Sequence, residues 1–363
     1  MKGNLNLGSI SGIKIKVHWT FMFLIVWIVF EEIINGGNLQ SILFNIGFVL
    51  SVFLCVVLHE LGHAITAKRF GVSTKKITLL PIGGVASLDK IPEVPRQEFI
   101  VAIAGPMVNV LIAAMLYFTA PVQQFINQDI IETFVKVNEF TVPLFIFYLF
   151  VVNISLFVFN LIPAVPMDGG RILRALLAMK MDRVKATKIA AGIGQFIAVF
   201  FLLIGFLYNP ILIFIALFIF LGAYGENQFV QHSKLLQGHK VREAMLTNIN
   251  TFSPEHTMDD VINRLLASTE NNFVVVENDK VQGVLYHKDI IKNSKNRTLL
   301  VKDMMCKPKE VLDINADLKH VYQLMNTGKT HFFPVTNNAL LAGAIDLTNL
   351  NEFIMLQAKQ NIE

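Results

Sequence analysis

The chain has 363 residues, 53% of them apolar and 16% charged, with 30 Phe against 6 Tyr. Soluble domains carry roughly 25% charged residues, so this composition excludes a wholly soluble enzyme and places part of the chain in lipid. Two cysteines, Cys55 and Cys306, exclude a disulfide framework and a cysteine-based zinc finger, and a net charge of +4 is too small to point to nucleic acid.

Charge is unevenly spread. Residues up to 230 carry 16 Lys+Arg and 12 Asp+Glu, whereas those from 231 onward carry 15 of each. The expected organisation is a six-span membrane domain over 1–230, a linker at 231–240, and a soluble tail of two modules, 241–297 and 298–363.

Crossing a bilayer takes about 20 helical residues. Apolar stretches of that length fall at about 17–35, 42–66, 97–119, 141–163, 187–207 and 210–228. The basic N-terminus runs straight into the first of these, with no small-residue cleavage pattern. Lys2, Lys14 and Lys16 precede the first span. The second connection carries Lys68, Arg69, Lys75, Lys76, Lys90 and Arg96, and the fourth Arg171, Arg174, Lys180, Arg183, Lys185 and Lys188. The connections on the other side hold only Lys136. The positive-inside rule then puts both termini, and the tail, in the cytosol of a multi-pass cell-membrane protein.

The second span contains His59-Glu60-Leu61-Gly62-His63. Residues four apart share a helix face, so both imidazoles can bind one metal, with Glu60 beside them to take a proton from water. Ionisable groups inside a span mark functional sites by default. A catalytic zinc needs a third protein ligand. The fourth span ends, on the same side, at Asn160-Leu161-Ile162-Pro163-Ala164-Val165-Pro166-Met167-Asp168-Gly169-Gly170. Asp168 is the carboxylate at matching depth; Asp129, Glu132 and Glu139 are external, and Asp89, Glu93 and Glu98 sit in or beside a basic loop. Asp168 also suits an N-cap for the helix starting near Arg171, and the two roles are compatible.

These motifs resemble the site-2 protease family of intramembrane zinc metalloproteases. His59-Glu60-Leu61-Gly62-His63 is similar to the family's zinc-binding helix, and Asn160…Pro163…Asp168-Gly169 to its second signature. Leu80-Pro81-Ile82-Gly83-Gly84-Val85 and Ala104-Gly105-Pro106 fall where the family has similar runs. The resemblance implies one Zn2+ held by His59, His63 and Asp168, Glu60 as general base, and a transmembrane protein substrate cut within or beside the lipid bilayer.

A helical substrate must unwind locally before attack. Ile77-Thr78-Leu79-Leu80 and Val85-Ala86-Ser87-Leu88, flanking Pro81 to Gly84, read as a small cytosolic β-hairpin whose edge, with Gly83 and Gly84, can pair with an extended peptide; a plain linker is the other reading. Asn160 is either a hydrogen-bond donor to the substrate carbonyl or a cap for backbone at the helix break. Asn109 and the Gly105-Pro106 kink read as packing features of the third span, and Cys55 as a packed small residue.

From Val241 the chain repeats at an offset of 60 residues: Val241-Arg242-Glu243-Ala244-Met245 aligns with Val301-Lys302-Asp303-Met304-Met305, and Gly283-Val284-Leu285 with Gly343-Ala344-Ile345. Each unit reads strand, helix, two strands, helix. The tail is similar to tandem cystathionine-β-synthase-type (CBS) modules, a resemblance that implies adenine-nucleotide binding, with Asp289 on the ribose, and pairing of two chains. The second repeat departs, with Asn349 aligned to Asp289 and Asp346 three residues earlier. A purely dimerising or docking role is the alternative.

The expected function is therefore an intramembrane zinc endopeptidase regulated by its tail. The alternative is a membrane transporter or channel regulated by the same modules, although a transporter should show repeated halves with polar residues over several spans. A catalytically dead binding protein is disfavoured by the presence of Glu60 and all three ligands.

Overall fold

The structure is a computed structural model that describes residues 4–81, 83–88, 92, 94–119, 125, 141–328 and 330–360, with 85–88 as backbone only. Asp89, Glu93, Asp129, Glu132 and Glu139, the basic residues Lys2, Lys90 and Lys136, and Ile82 of the hairpin turn lie outside the described residues. The chain divides into two compact units, Met1–Gln228 and Phe229–Glu363.

In the first unit, β1 (Asn4–Ile10) and β2 (Ile13–His18) precede α1 (Phe21–Ile34). The long helix α2 (Leu39–Arg69) follows, then β3 (Thr74–Leu80), β4 (Gly83–Leu88) and α3 (Pro95–Thr119). After residue 141 come α4 (Val142–Leu161), the short α5 (Asp168–Ala178), α6 (Arg183–Leu207) and α7 (Ile211–Leu235). Among the described residues, five helices are long and apolar enough to cross a membrane: α2, α3, α4, α6 and α7.

The first predicted span differs. Its helix has only 14 residues, and the stretch entering it is strand β2. The cause is visible in residues 13–18, where Ile13, Ile15 and Val17 alternate with Lys14 and Lys16. That period of two specifies a half-buried strand rather than a helix.

Four strands form one sheet in the order β1-β2-β3-β4, with β2 and β3 parallel and the outer pairs antiparallel. The predicted hairpin is β3–β4; sequence reading missed β1 and β2. Ile13, Ile15, Ile77 and Leu79 turn inward from this sheet onto Val57, Leu61 and Ala64 of α2. The helix carrying the His-Glu-x-x-His motif is thereby clamped along one side.

Between α4 and α5 the chain turns through Ile162 to Met167, as Pro163 and Pro166 forbid a continuous helix. This break is not exposed: Ala164 and Val165 are fully buried, packed against Ala190, Ala191, Ala198, Ile219 and Ala223 of α6 and α7. Irregular backbone at membrane depth is tolerated where protein covers it.

The second unit holds two three-stranded sheets. The first, ordered β5-β6-β7, comprises β5 (Thr251–Phe252), β6 (Phe273–Glu277) and β7 (Lys280–Leu285), with α8 (Met258–Ala267), α9 (His287–Asn293) and α10 (Val301–Met304). The second, ordered β10-β9-β8, comprises β8 (Leu312–Asp313), β9 (Phe332–Asn337) and β10 (Leu340–Asp346), with α11 (Leu318–Thr327) and α12 (Leu347–Gln360). Each repeat builds its own core, around Met258, Phe273, Leu285 and Ile290 in one and Leu318, Met325, Ile345 and Leu350 in the other. The second core also takes Phe229, Leu235 and Leu236; the Phe229 ring stacks on Tyr322 at 5.6 Å.

Candidate metal centre

Two adjacent turns of α2 present His59 and His63, and the first residue of α5 presents Asp168; all three are buried. His59 Nε2 and His63 Nε2 lie 3.1 and 3.0 Å from Asp168 Oδ2, and 3.2 Å from each other. Among the described residues these are the group of histidine and acidic side chains placed to hold one ion.

The far sides of both rings fix which nitrogens carry protons. His63 Nδ1 lies 2.7 Å from the Val101 carbonyl oxygen, which can only accept, so Nδ1 donates. His59 Nδ1 faces Asn109 Oδ1 at 2.5 Å. The Asn109 amide is oriented by a chain: its Nδ2 donates to Asn153 Oδ1 at 3.0 Å, and Asn153 Nδ2 donates to the Leu149 carbonyl at 2.8 Å. His59 Nδ1 therefore donates as well.

With Nδ1 holding the proton, each ring in its neutral form, the form that ligates a metal, turns an Nε2 lone pair toward the other ring and toward a carboxylate oxygen. Three electron-pair donors at 3.0–3.2 Å repel one another unless a cation lies among them. Donors about 2.0–2.2 Å from a tetrahedral zinc stand roughly 3.3–3.5 Å apart. Two imidazoles and a carboxylate in this triangle fit zinc, and the outer hydrogen bonds are those that orient ligating histidines.

Local sequence explains the convergence. The predicted ligands His59, His63 and Asp168 are brought together across α2 and α5. A Cβ at Gly105 on α3 would overlap both Nε2 atoms, so only glycine lets the rings lie on that helix. Gly169 and Gly170 play the same part for α5, because a Cβ on either would strike the backbone of residues 161–165. Met167 is the N-cap of α5 and Asp168 its first residue, so Asp168 is not the cap.

Glu60 is half-buried, and a Cβ on Gly84 of the outer strand β4 would lie 3.0 Å from Glu60 Cγ. Gly83 opens that strand at φ +136°, a conformation suited to glycine. Asn160 donates its amide to the Leu156 carbonyl of its own helix at 2.8 Å. Cys55 is buried and accepts from Asn153 Nδ2 at 3.4 Å, away from the donor triangle. Asn109, read from sequence as packing, instead grips His59; an asparagine within an apolar span was the available signal.

In the second unit, Asp289 stands in the first turn of α9, with Cys306 Sγ 3.6 Å from its Oδ2. In the second repeat Asn349 aligns with Asp289, and Asp346, three residues earlier, accepts from the Asn349 backbone N–H at 2.9 Å and so caps α12.

The model of peptidase family M50 matches residues 47–205, and that of the CBS domain residues 241–296. The chain is 36% identical over 366 residues to a zinc metalloprotease of Methanocaldococcus jannaschii, covering 100% of both. It belongs to peptidase family M50. Stage IV sporulation protein FB of Bacillus subtilis is 30% identical over 178 residues, 49% of this chain and 52% of that one. The solved site-2 protease from Methanocaldococcus jannaschii is 42% identical, with a TM-score of 0.44, covering 62% of this chain and 95% of that one. As an M50 peptidase with several membrane-length helices and a CBS domain, the chain is a multi-pass membrane zinc metalloendopeptidase.

Proposed function

We propose that His59, His63 and Asp168 hold one zinc ion and that Glu60 is the general base of an intramembrane endopeptidase acting on a transmembrane protein. The observation that carries this is the triangle of His59 Nε2, His63 Nε2 and Asp168 Oδ2 at 3.0–3.2 Å, a spacing that suits three ligand atoms around one cation. Zinc supplies two things when bound there: polarisation of the scissile carbonyl and a lowered pKa for the attacking water. Glu60, next to His59, takes that water's proton and passes it to the departing amine. Asn109 and the Val101 carbonyl keep both rings in the tautomer that leaves Nε2 free. The outer strand β4 presents Gly83 and Gly84 beside Glu60, which suits an extended substrate strand laid along its edge. Asn160 Nδ2 gives one hydrogen to the Leu156 carbonyl of its own helix, and its second N–H is the donor that would meet a substrate carbonyl.

In this reading the chain crosses the bilayer six times. Helix α1 makes the first crossing, and α2, α3, α4, α6 and α7 the others. Basic residues flank alternate connections, so both termini, the β3–β4 hairpin and the CBS pair (241–297 and 298–363, after a linker at 231–240) are cytosolic. The pair would bind an adenine nucleotide at Asp289 and tune cleavage. Exposed Leu266, Met355 and Leu356 suit association of two copies through it. The relatives reported above include a named zinc metalloprotease, which favours hydrolysis over transport.

The test is cleavage of a single-span substrate by the full chain in lipid. Glu60→Gln should abolish cleavage and retain zinc; Asp168→Asn should lose both. Cleavage by Glu60→Gln would remove the base assignment, and ion flux without proteolysis would favour a transporter.

A further inference from the structure

Helix α5 carries Asp168 at one end and, six residues on, a fully buried arginine. Arg174 Nε and Nη2 donate to Glu98 Oε1 of α3 at 2.8 and 2.5 Å, and its Nη1 pairs with Glu226 of α7. Glu98 Oε2 lies 3.0 Å from Arg183 Nη1 of α6. The side chains of Arg174 and Glu98 are 0% and 1% exposed, against 27% for Arg183 and 26% for Glu226. Two cations and two anions thus form a neutral chain of three ion pairs, Glu226–Arg174–Glu98–Arg183, that joins α7, α5, α3 and α6.

A buried ion pair is weak evidence for stability, since desolvating both charges offsets most of their attraction. What this pair does provide is a fixed register between two helices. The register matters because of what else α3 holds. Glu98, Val101, Gly105 and Asn109 are all buried and lie on one stripe at helical spacing. Val101 and Asn109 fix the two imidazoles, Gly105 lets them approach, and Glu98 fixes the helix that carries the carboxylate.

We infer that Arg174 and Glu98 are positioning residues for the metal centre: their ion pair sets Asp168 against the same helix that sets His59 and His63. This rests on the reading of those three residues as metal ligands. The pair touches neither metal nor substrate. Its effect is on how closely three donors from two helices meet, which sets metal affinity and the geometry at the ion.

The test uses the full chain in lipid nanodiscs. Glu98→Gln combined with Arg174→Met removes one charge of each sign and leaves Arg183 and Glu226 to balance. Zinc affinity is read by chelator competition, ligand geometry by the absorption spectrum of the cobalt-substituted protein, and folding by thermal unfolding of the metal-free chain. The double variant should unfold close to wild type when metal-free, yet bind zinc about 10- to 100-fold more weakly, with an altered cobalt spectrum and a lower kcat at similar KM. Arg174→Lys, which keeps the charge but not the two-way fork, should fall between and guards against failure of the double variant to fold. Wild-type zinc affinity and cobalt spectrum in both variants would reduce this chain of ion pairs to a structural element and overturn the inference. If wild type itself bound no zinc, or Asp168→Asn kept it, the ligand assignment would fail instead.

Discussion

Asn109 Oδ1 lies 2.5 Å from His59 Nδ1, and Asn153 and the Leu149 carbonyl hold that amide in place from behind. The asparagine therefore selects the tautomer that leaves Nε2 bare. Asn109→Leu keeps the branched outline of the side chain, with bulkier methyl groups, but has no acceptor. It should weaken zinc binding about 10- to 100-fold, the usual effect of removing a partner behind a ligating histidine. Asn153→Leu, one bond further out, should show a smaller loss in the same chelator titration.

Gly105 supplies a steric test of the same site. An added methyl would overlap Nε2 of both His59 and His63. Gly105→Ala should abolish zinc binding and proteolysis together. Gly192→Ala on α6, where a Cβ would meet nothing within 4 Å, should keep both and match or slightly exceed wild type in thermal stability.

The two CBS repeats should respond differently to loss of their acids. Asp346 is spent on capping α12, whereas the Tyr286 N-cap of α9 makes no side-chain cap and leaves Asp289 to other partners. Adenine nucleotide should protect residues 241–357 of wild type from limited proteolysis. Asp289→Ala should lose that protection. Asp346→Ala should keep it while raising cleavage within α12. Equal protection in all three chains would remove Asp289 from the binding site.

Acid sensitivity can be traced to one cap. Asp260 Oδ2 accepts from Thr257 N at 2.8 Å and Thr257 Oγ1 at 2.7 Å, and these bonds hold the Asp260 carboxyl below its usual range. A depressed folded pKa stabilises fully above the unfolded value of about 3.9 and is lost as pH falls through the folded value. Amide protection in α8, corrected for intrinsic exchange, should therefore decline below about pH 4. Thr257→Ala should start lower at pH 6 and show a shallower decline.

The long apolar helices and the clustering of His59, His63 and Asp168 were readable from sequence because each leaves a local pattern. The spacing of His59 and His63 fixes a shared helix face, and Pro163, Pro166 and the Gly169-Gly170 pair announce a break. The pairings of Asn109, Glu98 and Arg174 left no such mark, since His59 lies 50 residues from Asn109 and Glu98 lies 76 residues from Arg174 in sequence. Strand β2 was hidden for another reason: its alternating Ile and Lys merge into the apolar run of α1, so a hydropathy window blurs a strand into a helix. The parallel pairing of β2 with β3 joins segments about 60 residues apart, which no local pattern encodes.

The stripe on α3 has a consequence for how this helix can vary. Each residue of an α-helix advances about 100° around its axis. A single inserted residue between Val101 and Asn109 would swing the contact to one imidazole away from the contact to the other, whatever residue type was added. Insertions beyond Ala113, past the last buried position of the helix, disturb no such phase relation. Off this stripe, the middle of α3 can therefore exchange side chains but not change length, while its far end is open to both.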